Sequence, residues 1–166
     1  MNSESHLTIN VHGRRNESRW GYEVSGYGPL NRMVCGRLYT STIAQVEAYA
    51  ILHAVSTITD SQIEHMRERG HIGQDKVSIQ IRSTNFDLMK ALRRGCVCDR
   101  LCPQILKLVT WTELLKAFRR FNMRFTVVKA HDLSGLWEFL DAQLNPATHG
   151  AHVPDVVQCT RQVEAA

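Results

Sequence analysis

Cys96, Cys98 and Cys102 fall within seven residues and raise the question of a zinc site. Cysteine-rich zinc sites need paired half-sites, and C-x-C-x3-C is followed by neither a second C-x-x-C nor an H-x-x-x-H. These cysteines therefore read as partly buried, reduced structural thiols. His149 and His152 read as tail residues. Arginines crowd at Arg14-Arg15 and Arg19, at Arg93-Arg94 and Arg100, and at Arg119-Arg120 and Arg124. Such clusters fit phosphate contacts or a solvated surface equally well. Thr40, Ser41 and Thr42 precede a long apolar run, where their hydroxyls fit a helix cap or a phosphate seat.

The elements that must position these groups follow from patterning. The chain has 166 residues, about one domain's worth, of which 43% are hydrophobic and 22% charged. Its 20 Lys and Arg against 16 Asp and Glu give a net charge of +4, which permits a nucleic-acid partner without requiring one. No apolar run is long enough to span a membrane, and the polar start Met1–His6 argues against a secretory signal. An intracellular protein, cytoplasmic or nuclear, is expected. Leu7–Val11, Trp20–Ser25, Met33–Tyr39, Val77–Ile81 and Arg124–Val128 read as strands. Ile43–Val55, Asn85–Leu92, a segment from Pro103 through Phe118, and Leu136–Leu144 read as helices. Asp60–Gln74 reads as a loop or frayed extension. The expected fold is α/β: an antiparallel meander of three strands plus two further strands in one mixed five-stranded sheet, flanked by helices. Residues 6–147 form the domain, and 148–166 a mobile tail.

That order resembles the ribonuclease H fold, and local residues carry the resemblance. His12-Gly13 ends the first strand where the family has Asp-Gly. Thr40-Ser41-Thr42-Ile43-Ala44-Gln45-Val46 resembles the Thr-Ser/Asn-Asn-Arg-x-Glu-Leu that opens the family's central helix. Ser83-Thr84-Asn85-Phe86 resembles Asp-Ser-Gln-Tyr after strand four. Val128-Lys129-Ala130-His131 resembles Val-Lys-Gly-His, with Asp141 ten residues further on, the family's usual interval.

The resemblance implies hydrolysis of the RNA strand of an RNA/DNA hybrid by two divalent metals held on four carboxylates. It also implies that three of the four are lost here, because the positions read His12, Gln45, Ser83 and Asp141. Imidazole, amide and hydroxyl are poor ligands for magnesium, a hard ion that wants anionic oxygen. The expectation is a pseudo-nuclease without a cofactor. It would bind a hybrid or double-stranded RNA through Thr40, Ser41, Thr42, Asn85, Arg14 and Arg15, although the chain is short of the Lys- and Trp-rich protrusion some members use. Three alternatives stand beside it. Glu47 could replace Gln45 if the helix entrance is shifted, since two residues turn a helix by about 200°; with Asp141 it would hold magnesium or manganese in an active nuclease. His12, His131 and Asp141 could hold one softer ion such as zinc. Last, the chain could be a protein-interaction module derived from a retroelement ribonuclease H.

Overall fold

The computed structural model describes residues 5–14, 19–38, 42–73, 75–97, 111–144 and 156–159. Alternating apolar residues build β1 (Leu7–Arg14), β2 (Arg19–Ser25) and β3 (Arg32–Arg37), an antiparallel meander with His12 opposite Gly21 and Gly13 opposite Trp20. The helix α1 (Ile43–Ser56) follows, and Thr42 caps it by accepting the Gln45 amide at 3.3 Å. β4 (Ser78–Ser83) then runs parallel to β1, and β5 (Asn122–Val127) runs parallel to β4. Between these two strands come α3 (Phe86–Val97) and α4 (Trp111–Phe118). A short 3-10 turn over Ala130–Leu133 leads into α5 (Ser134–Leu144). The α/β architecture and the meander are as expected; the segment 103–110 lies outside the described residues.

Two expectations are corrected. Asp60–Glu68 is a regular helix, α2, not a loop. Thr59 and Gln62 form a reciprocal capping box, and Ile63 and Met66, three residues apart, are buried. Within the segment read as a tail, Val156–Cys159 forms β6 and pairs antiparallel with β3, so that the sheet has six strands in the order β5-β4-β1-β2-β3-β6. Four residues are too few for periodicity to announce a strand. Among the described residues, no helix is long and apolar enough to cross a membrane.

The two faces of the sheet carry separate cores. Val11, Ile9, Ile81, Val46, Ile51 and their neighbours fill the face covered by α1. Cys35, Leu136 and Leu140 form a smaller cluster under α5. Strand alternation assigns the residues at the end of β1 to these faces in turn. A Cβ on Gly13 would lie 2.8 Å from Glu47 Cγ and 3.2 Å from Val46 Cγ1, on the α1 side. A Cβ on Gly21, the partner of His12, would lie 2.8 Å from Leu140 Cδ2, on the α5 side.

α1 thus presses on β1 at a place with no room for a side chain. Gly13→Ala should destabilise the protein by about 1–3 kcal/mol, the usual range for overpacking a tight contact. Gly28→Ala, which meets nothing within 4 Å, should be neutral. Urea unfolding of both variants checks this, and equal stabilities would contradict it.

Candidate functional site

The ends of β1 and β4 meet the start of α1 in a buried polar knot. Glu47 is 1% exposed, and its Oε1 accepts hydrogen bonds from the Gly13 amide (3.2 Å) and the Ser83 hydroxyl (3.1 Å). Ser83 Oγ in turn accepts the Asn85 amide at 3.0 Å. Asn85 Oδ1 accepts the Leu88 amide at 3.1 Å and so caps α3. Burial pushes the Glu47 carboxyl up to about 7, against the opposing pull of Asn85, Ser83 and the Gly13 amide. Its Oε2 is buried without a hydrogen bond. Near neutral pH the group is poised between its charged and protonated forms.

The opposite face holds a different set. His12 is buried and stacks on Trp137, with ring centroids 4.3 Å apart at 26°. Burial, and then the Arg14 charge, push its pKa down to about 4, so the ring is neutral; Asp141 works weakly the other way. The guanidinium of Arg14 lies 5.4 Å from the centre of the Trp137 ring and pairs with Asp141 at 2.5 Å. Trp137 and Asp141 are one turn apart on α5, which brings both to the end of β1. With Asp141 65% exposed, this ion pair contributes roughly 0–1 kcal/mol, less than burying Leu136 and Leu140.

These positions answer several expectations. The helix residue that reaches Gly13 and Ser83 is Glu47, because α1 starts behind Thr42 and turns its second loop toward β1. Gln45 is half-buried in the first turn, with its amide on the Thr42 cap. His131 is exposed and pairs with Asp132 at 3.3 Å. Among the described residues, no three His, Cys, Asp or Glu side chains converge to hold a metal ion, which removes the His12–His131–Asp141 zinc arrangement. Thr40, Ser41, Arg15, Cys98 and Cys102 lie outside the described residues, as does the side chain of Cys96. Trp137 is a residue the sequence reading misses; its signal is the spacing of four to Asp141. Phe86, the last residue of the Ser83–Phe86 segment, is 58% exposed at the start of α3, with the Lys90 ammonium 5.6 Å from its ring centre.

No family model matches the chain, and no curated protein sequence does. Solved structures do match. One is LC11-RNase H1 in complex with an RNA/DNA hybrid, 12% identical over 80% of this chain and 91% of that one, with a TM-score of 0.54. The fold is ribonuclease H-like. LC9-RNase H1, a type 1 RNase H with the type 2 active-site motif, is 15% identical over 96% of this chain and 80% of that one, with a TM-score of 0.55. In this ribonuclease H-like fold, the knot at Glu47 and the stack at His12 lie side by side at the end of β1, on opposite faces of the sheet.

Their opposite pKa displacements make opposite contributions to stability. The folded value of Glu47, about 7, exceeds its ordinary 4.5, so its contribution is complete below pH 4.5 and lost as pH rises through 7. The folded value of His12, about 4, lies below its ordinary 6.5, so its contribution is present above pH 6.5 and lost as pH falls through 4. Relative to the parent, Glu47→Gln should gain stability as pH rises from 4.5 to 7. His12→Asn should lose stability, relative to the parent, over pH 4 to 6.5. Other titrating groups contribute equally to all three proteins and cancel in these differences. Urea unfolding at a series of pH values checks both signs, and pH-independent differences would contradict the assignment.

Proposed function

We propose that this chain is a catalytically inactive ribonuclease H-like domain that binds an RNA/DNA hybrid or double-stranded RNA. The observation that carries the first half is the state of the two carboxylates near the end of β1. Glu47 is sealed from solvent, with one oxygen engaged by Gly13 and Ser83. Asp141 is on the other face in an ion pair with Arg14. His12 and Ser83 complete the family positions with neutral groups. Two-metal hydrolysis needs a cluster of anionic oxygens to hold both ions. The residues present do not fit a magnesium pair.

Binding has separate support on α3. Phe86, Lys90 and Arg94 are exposed and recur every four residues, so they form one stripe leading away from the Ser83–Asn85 corner. An exposed aromatic with cations one and two turns behind it suits a base or sugar face with phosphates beside it. The solved relative LC11-RNase H1 was captured on a hybrid. An active nuclease keeps one point in its favour, the location of Glu47 against Gly13 and Ser83. The same experiment tests both readings.

Labelled hybrid incubated with the protein and magnesium or manganese should remain intact. Metal-dependent cleavage that disappears in Glu47→Gln would establish the active reading instead. The variant Ser83→Asp would set a second carboxylate beside Glu47 on the α1 face. It should melt below the parent in chelator and rise with magnesium, by the equivalent of about 2.7 kcal/mol at a hundredfold excess over Kd. The parent should show no magnesium shift. Hybrid binding should weaken with salt at a log–log slope of roughly −0.7 to −0.9 per phosphate neutralised. No binding at low salt would favour a protein partner.

A further inference from the structure

Three histidines gather at the other end of the sheet, about 20 Å from His12 along β1 at roughly 3.3 Å per residue. His6 precedes β1, His65 lies on α2, and His71 lies in the connection from α2 to β4. Tyr27, in the turn between β2 and β3, sits among them. Its hydroxyl hydrogen-bonds His65 Nδ1, and its ring centre is 5.0 Å from that of His71.

His6 makes a contact that only its neutral form can make. The His6 amide donates to the Ser78 carbonyl at 2.9 Å, and the Ser78 amide donates back to the His6 ring at Nδ1, also 2.9 Å. The imidazole thus supplies the acceptor for the first amide of β4. A nitrogen that accepts carries no proton, so the ring is the neutral Nε2–H tautomer. The His71 ring nitrogen Nε2 donates to the His6 carbonyl at 3.4 Å. Gly26, at φ +110°, packs its backbone on the same carbonyl, where a Cβ would come within 2.6 Å. Four segments therefore meet on one residue: the entry to β1, the β2–β3 turn, the α2–β4 connection and β4.

We infer that His6 is a proton-sensitive latch: its neutral ring holds the entry of β4 to β1, and protonation opens that rung while the opposite end of the sheet stays closed. A protonated ring would turn a donor toward the Ser78 amide and leave that amide without an acceptor. It would also set a cation 6.3 Å from the His71 ring; among the described residues Asp75 is the opposing charge close by, and Tyr27 and His65 are further titratable groups on this side. Burial and His71 already hold the His6 pKa below 6.5, so the latch is closed at neutral pH and opens on acidification.

Amide exchange measured residue by residue with NMR, alongside titration of the His6 ring, tests this. The Ser78 protection factor should fall at least tenfold as acidification from pH 7.5 protonates the His6 ring, with a midpoint equal to that of the ring, while Ile81 remains protected. His71→Gln should move both midpoints to higher pH together. In His6→Asn, where an amide oxygen can accept without titrating, Ser78 protection should no longer depend on pH. The inference fails if Ser78 stays protected once the His6 ring is protonated, if its midpoint departs from that of the His6 ring, or if His6→Asn shows the parent's pH dependence.

Discussion

The close approach of α1 to β1 at Gly13 is the constraint on which the rest of this end of the molecule depends. Because residue 13 has no side chain, the α1 backbone comes near enough for Glu47 to take the Gly13 amide. The same carboxylate then reaches Ser83 and, through it, Asn85 and the start of α3. One contact between a glycine and a helix thereby links β1, β4, α1 and α3. It also explains the unusual state of Glu47. A carboxyl inserted between a helix and a sheet loses its water, and the Gly13 and Ser83 donors offset only part of that cost.

The sheet divides this region electrically. On the α1 face a buried acid is drawn toward its protonated form; on the α5 face a buried histidine is held neutral against Trp137. Arg14 and Asp141 pair with each other at the rim. The stripe of Phe86, Lys90 and Arg94 on α3 faces outward near Ser83.

Much of the fold was legible in the residues. Period-two patterning located β1, β2 and β4, the apolar run located α1, and the order of elements pointed to a ribonuclease H-like sheet. The errors have physical sources. The charged stretch after Asp60 looked unstructured because only Ile63 and Met66 face inward, although the Thr59–Gln62 capping box was there to be read. β6 was not legible because four residues depend wholly on their partner strand. On α1 the sequence offers both Gln45 and Glu47; the observed cap is Thr42, which turns Glu47 toward β1. Trp137 was overlooked because a tryptophan on an apolar helix face looks the same whether it packs on leucine or on histidine.

The central claim is that Glu47 organises this site through protons and hydrogen bonds, not through metal. Carbon-13 NMR of the Glu47 side-chain carboxyl, followed with pH in the presence and absence of magnesium, reads this directly. The account predicts a titration midpoint near 7 that magnesium leaves unchanged. A midpoint near the ordinary 4.5, or one that magnesium draws downward, would contradict it.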